Sequence, residues 1–193
     1  HKVHGITLEY YFDEIEPRLA YWNQYGDCSN LTFKYADMFD YEGETEQFDY
    51  IVALDTLHHI EPLDKGLKIL NDLLNPTGKI IVCEENGHNW IAYLKHIRER
   101  GFKRISSYYD ERLKKTILFG NENTKSLKGW VKAFSKASFE FNQESLNYIR
   151  FYFPKIHNKK PYLYIVEKEN RLWKKSFFLR EFCFFGFNFT IQK

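Results

Sequence analysis

The order of apolar and polar positions divides this chain into short buried strands and amphipathic helices. The clearest stretch runs from Phe48 to Asn86. Phe48-Asp-Tyr-Ile-Val-Ala-Leu54 is nearly all apolar and of strand length, with the strand expected over 49–54. It closes on the polar Asp55-Thr56 and on Leu57-His58-His59. Residues 63–74 then put Leu67, Leu70 and Leu74 on one helical face. Pro76-Thr77-Gly78 predicts a turn, and 79–83 predicts a second buried strand that ends on Glu84-Glu85-Asn86. Strand, helix and strand in this order form a βαβ unit.

The flanks extend the alternation. Residues 3–7 read as a strand, and 14–25 as a helix with Ile15, Leu19 and Trp22 at helical spacing, closed by Gly26-Asp27. Residues 31–35 alternate as a strand and lead into Asp37-Met38. An acidic loop spans 42–46. Residues 89–101 predict a basic helix, 101–115 a polar surface excursion, and 126–137 a helix with Leu127, Trp130, Val131 and Phe134 inward. Residues 139–141 and 146–153 are strand-like. A basic loop covers 154–161, helix is expected within 167–182, and Phe185-Gly-Phe-Asn-Phe-Thr-Ile-Gln192 alternates as a final strand.

Apolar strands alternating with helices predict an α/β fold whose parallel sheet is covered on both faces. Right-handed crossovers bring the strand C-terminal ends to one edge, where open α/β sheets bind ligands. That edge collects Thr7, Asp37, Asp55 and Glu84.

Composition narrows the function classes. The net charge of +2 gives no reason to expect a nucleic-acid partner. Three widely spaced cysteines, Cys28, Cys83 and Cys183, fit a reduced, cytoplasmic setting and no zinc motif. No apolar run reaches the length of a spanning helix. The chain begins at His1 with strand-like sequence, which reads as a fragment without a signal peptide. Oligomeric state has no signature.

The strand-end residues carry a resemblance. Leu57-His58-His59 after one strand and Glu84-Glu85-Asn86 after the next are similar to the middle of class I S-adenosylmethionine-dependent methyltransferases, small-molecule type. The resemblance implies a Rossmann-like sheet of order 3-2-1-4-5-7-6, mostly parallel with an antiparallel C-terminal strand. Residues 3–7, 31–35, 49–54 and 79–83 then stand as the second to fifth strands. On this mapping residues 1–193 form a single methyltransferase domain truncated at its N-terminus. The first strand and its glycine-rich cofactor loop would be missing, so the chain alone is expected to bind cofactor poorly and to be inactive.

The implied cofactor is S-adenosylmethionine. Thr7 stands where the family usually has a ribose-binding acid, with Glu9 two residues on. A carboxylate suits that place because it grips two hydroxyls at once. Asp37 would accept from the adenine amino group, Met38 would offer its backbone amide, and Asp55 and Thr56 would lie under the methionine part. His58, His59 and Glu84 are the candidate catalytic bases, imidazole because it titrates near neutrality. Each has a plainer reading as a turn, cap or packing residue. No metal is expected, because adjacent histidines at a strand–helix junction rarely ligate one ion. The implied reaction is methyl transfer to a small-molecule or saccharide-like acceptor. Gly5-Ile-Thr-Leu8 keeps a lipid or fatty-acyl modifier open, and the Thr7 substitution a non-catalytic methyltransferase-like partner.

Overall fold

The computed structural model describes residues 1–43 and 47–193; Glu44, Thr45 and Glu46 of the acidic loop lie outside the described residues. In chain order the first elements are β1 (Val3–Thr7), α1 (Ile15–Trp22), β2 (Leu31–Tyr35), β3 (Phe48–Leu54), α2 (Leu63–Leu73), β4 (Leu74–Glu85) and α3 (Trp90–Arg100). There follow β5 (Ile105–Asp110), β6 (Lys115–Gly120), α4 (Leu127–Lys136), β7 (Glu140–Ile149), α5 (Pro154–His157), α6 (Tyr162–Lys175), α7 (Phe177–Phe182) and β8 (Gly186–Gln192). They fall into two compact units, His1–Glu44 with Tyr109–Ile117, and Thr45–Tyr108 with Leu118–Lys193.

In the first unit β1 and β2 run parallel, Val3 opposite Leu31 and Thr7 opposite Tyr35. The predicted helix is shorter than its apolar pattern. A 3₁₀ turn takes Tyr10–Glu14, and α1 stops at Trp22. The chain then folds back on itself, with the Cys28 N–H donating to Asn23 Oδ1 at 2.9 Å. Residues 109–117 contribute a hairpin tip ordered by Asp110. One carboxylate oxygen accepts from the N–H groups of Arg112 and Leu113, and the other from the Tyr35 hydroxyl at 2.6 Å.

In the second unit the strand order is β3-β4-β8-β7; β3 and β4 are parallel, and β8 is antiparallel to both its neighbours. The orders β2-β1 and β3-β4-β8-β7 reproduce the 3-2 and 4-5-7-6 segments of the expected sheet. The predicted Pro76-Thr77-Gly78 turn is a wide irregularity inside β4. Phe48 pairs with Leu74 but Tyr50 with Lys79, so the extra residues loop out of register. Gly78 is required there, because a Cβ would stand 2.9 Å from the Phe48 carbonyl oxygen. The two strand-like stretches at 139–153 merge into one bulged strand, β7, whose register shifts between Asn142 and Asn147.

One face of this sheet holds the core. Ile80 and Val82 of β4 lie beside Ile191 and Phe189 of β8, all almost fully buried. Trp130 and Phe134 of α4 pack on them, the Phe134 ring 5.8 Å from that of Phe189. The expectation of cover on both faces is corrected on β3. Tyr50, Val52 and Leu54 point the other way and are more than half exposed. The apolar run Phe48–Leu54 therefore hides an ordinary alternation, with only Ala53 of the opposite set buried.

Two further readings change. The polar stretch 101–115 and the residues beyond it form the β5–β6 hairpin. The helix expected within 167–182 starts earlier, at Tyr162, and breaks at Ser176, whose hydroxyl caps α7 by accepting from Leu179 N–H. No helix is long and apolar enough to cross a membrane among the described residues.

The end of α4 yields a stability prediction. Phe139 N–H donates to the Phe134 carbonyl and Ser138 N–H to that of Ser135, the paired bonds of a Schellman cap. Ser138 occupies the left-handed position, with φ 63°. Glycine adopts that conformation without a Cβ penalty. Ser138→Gly is expected to stabilise the protein by about 1 kcal/mol, read as a higher denaturation midpoint. A lower midpoint would refute the assigned cap.

Candidate active site

In the first unit the predicted cofactor residues sit at the ends of β1 and β2. Thr7 Oγ1 accepts from the Glu9 N–H at 3.1 Å, so the hydroxyl shapes the turn and leaves the Glu9 carboxylate exposed. Asp37 is only 8% exposed. It caps the 3₁₀ turn Met38–Tyr41, Oδ1 accepting from Phe39 N–H at 3.1 Å. Its other oxygen lies 3.0 Å from Lys115 Nζ, which also pairs with Asp40. Burial works against the ammonium charge of Lys115. The hydrogen bonds and charges of Asp40 and Asp37 outweigh it and hold the amine above its usual range. A carboxylate has about four lone-pair sites, so two partners do not exhaust Asp37. Met38 is half-buried beside it.

In the second unit the residues after β3 converge on the end of β4. Glu84 is fully buried. Oε1 accepts from the backbone N–H groups of Thr56 at 3.1 Å and Leu57 at 2.6 Å. Oε2 lies 2.6 Å from His58 Nδ1. One carboxylate thus caps the turn Leu57–His59 and orients its first imidazole. This follows from register: β3 and β4 end side by side, Leu54 opposite Cys83, so the next residue of β4 faces the turn.

His58 is 3% exposed. Burial pushes its pKa down, but the hydrogen bond and charge of Glu84, then the charges of Glu122 and Glu85, more than offset this and hold it above the ordinary value. His59 is half-buried, and its Nδ1 lies 2.9 Å from the Gly120 carbonyl oxygen. Gly120 must be glycine, because a Cβ there would collide with the His58 carbonyl oxygen. Thr56 Oγ1 donates to the Leu54 carbonyl.

Asp55 has a left-handed backbone, φ 48°, as does its partner Arg150, φ 63°. The guanidinium grips the carboxylate with two bonds, 3.2 and 2.6 Å. A forked pair between two strained positions fixes the end of β3 against the end of β7.

Sequence reading missed Lys115, Arg150 and Glu122. Arg150 lies inside the stretch 146–153 expected as strand, and nothing there marks it. Lys115 lies in the stretch taken for a polar excursion. Glu122 sits among turn residues, Gly120-Asn-Glu-Asn123, and nothing in the sequence links it to His58, which it faces at 3.5 Å. Trp90 and Tyr93 of α3 are more than half exposed.

The comparisons fit this strand-end arrangement. The family profile described as Methyltransferase domain matches residues 2–80, the span that holds Thr7, Asp37 and the His58-His59 pair. Over those residues the chain is similar to a methyltransferase domain. Solved structures share the fold at low identity. A putative S-adenosylmethionine dependent methyltransferase from Listeria monocytogenes is 15% identical, with TM-score 0.55 over 100% of this chain and 80% of its own. The YcgJ protein from Bacillus subtilis is 12% identical, with TM-score 0.61 over 100% of this chain and 82% of its own. Phosphoethanolamine N-methyltransferase 2 from Haemonchus contortus, in complex with S-adenosyl-L-methionine, is 17% identical with TM-score 0.57. The match covers 98% of this chain and 42% of that enzyme. The sheet edge read from the sequence is the edge that carries the polar residues in each unit.

Proposed function

We propose that residues 1–193 act as one methyltransferase domain that transfers the methyl group of S-adenosylmethionine to a small-molecule or saccharide-like acceptor. The observation that carries the proposal is Asp37, a buried carboxylate at the end of β2 with acceptor capacity left after its turn and lysine bonds. It suits the adenine amino group, and Met38 the ring edge. Thr7, Glu9, Asp55 and Thr56 are proposed to complete the cofactor contacts. The small acceptor is supported by the phosphoethanolamine enzyme among the neighbours.

Methyl transfer is a displacement at a sulfonium carbon, so positioning supplies most of the rate. Glu84 and His58 hold each other and the turn, which makes them positioning groups in this proposal. His59 Nε2 is the lone pair left on the turn for acceptor-side chemistry.

The test is calorimetric titration of S-adenosylmethionine into the protein. Asp37→Ala is expected to weaken binding by about 1–3 kcal/mol through loss of a charge-assisted hydrogen bond. A folded protein that gives no binding heat would point instead to a non-catalytic partner. Methylation of lipid but of no soluble acceptor would favour the fatty-acyl modifier.

A further inference from the structure

We propose that His58, His59 and Glu122 form a binding site for a divalent first-row transition ion, zinc being the default. Ligand atoms of the three residues lie within 4.8 Å of one another. Two histidines and one carboxylate are a ligand set that such ions take readily. The inference rests on the proposed function only for its consequence, that an acceptor oxygen would meet the ion rather than the free imidazole of His59.

The hydrogen bonds behind the ligands carry the argument. Glu84 already accepts two backbone N–H groups, so it is the acceptor toward His58 Nδ1 as well. The Gly120 carbonyl oxygen has no proton to give, so His59 Nδ1 is the donor there. Both rings are thereby set with Nε2 available as the ligand nitrogen. An imidazole that gives one N–H to a carboxylate or carbonyl and turns its other nitrogen to the ion is the usual support of a metal-bound histidine. The pair occurs here twice, on adjacent rings whose centroids are 4.2 Å apart.

Glu122 is held in the same way. Arg100 Nη1 takes Oε1 at 2.6 Å, which leaves Oε2 toward His58 Nε2 at 3.5 Å. An ion held at roughly 2.1 Å by tetrahedral ligands separates neighbouring ligand atoms by about 3.4 Å. The observed gap is therefore the width an ion needs, and wider than a direct hydrogen bond. Glu122 also has a left-handed backbone, φ 56°. A glutamate kept in that conformation between a glycine-bearing turn and α4 is held by the groups around its carboxylate. His96 Nδ1 lies 3.7 Å from the same oxygen, with its Nε2 on Glu85 at 3.0 Å, and closes the far side.

The sequence argued against this site because neighbouring histidines seldom share an ion. Here the 3₁₀ turn brings the two rings together, and the third ligand comes from a loop more than sixty positions away.

Cobalt(II) titration of the metal-stripped protein tests the proposal. Visible absorption should saturate at one ion per chain, and zinc should displace the signal. His59→Ala and Glu122→Gln should abolish the absorption band. Glu84→Gln, which weakens the support of His58 and of the turn that carries both histidines, should weaken binding by about 10–100-fold. Circular dichroism of each variant confirms that it is folded. Failure of the folded parent to bind, or equal binding by His59→Ala, would overturn the site. S-adenosylmethionine binding is measured separately on the same sample, so loss of the proposed function and loss of the metal site are told apart.

Discussion

Replacing Glu84 with alanine is expected to remove about 3–5 kcal/mol of folding stability, the cost of breaking a fully buried charge pair by deleting one partner. Glu84 has no exposed surface and serves three donors, the N–H groups of Thr56 and Leu57 and His58 Nδ1. Alanine leaves all three without an acceptor in a site that excludes water. The His58 ring, 3% exposed, would then have to be buried without its counter-charge. Glutamine keeps the shape and one acceptor oxygen, so Glu84→Gln should cost less, about 1–3 kcal/mol. Urea unfolding of the three proteins checks the order parent, glutamine, alanine. A Glu84→Ala protein within about 0.5 kcal/mol of the parent, the usual range for a neutral surface change, would show that the turn is anchored by something other than this carboxylate.

The prediction also marks where sequence reading reached and where it stopped. Glu84 was singled out because it ends an apolar strand, and parallel register then had to set it beside the end of β3. That inference needs only local pattern and a topological rule. The role of Glu84 was not legible, since its three donors lie in a segment 26 to 28 residues earlier. The same holds for Asp55. The strand end was visible, but Arg150 lies 95 positions away and is brought back by β7. Glu122 had no periodic signal at all, because a loop residue has neither a strand's nor a helix's face to betray it.

The fold was legible where one face of an element is buried. Leu67 and Leu70 of α2 and Trp130 and Phe134 of α4 are buried as their spacing predicts, and Leu74, expected on the same helical face, is buried as the first residue of β4. The β5–β6 hairpin was missed because its pattern offers little to read. Ile105-Ser-Ser-Tyr-Tyr-Asp110 does not alternate cleanly, and its strands keep several side chains exposed. What orders its tip is the carboxylate of Asp110, a residue that sequence alone reads as a turn former. The continuous apolar run of β3 misled in the opposite direction. It predicts burial on both faces, whereas Val52 and Leu54 are 57% and 60% exposed.

Phe134→Ala should be equally severe, at about 3–5 kcal/mol, the range for deleting a large buried aromatic. Its ring is fully buried. It stacks on Trp130 at 5.7 Å and meets Phe139 and Phe189 edge-on at 6.4 and 5.8 Å. Those neighbours belong to the same helix, to the cap that ends it and to β8. The ring therefore joins α4 to the sheet, and no one of these elements can move in to fill the space without losing its other contacts. Phe102 supplies the control, being the same residue type at 82% exposure. Phe102→Ala should shift stability by no more than about 0.5 kcal/mol. Denaturant midpoints measured with an unchanged slope make the comparison clean, because the slope reports the surface exposed on unfolding. Equal effects at the two positions would mean that α4 does not cover β8 as described. A large effect at Phe134 alone would place the stability of this unit in the aromatic layer between α4 and β8.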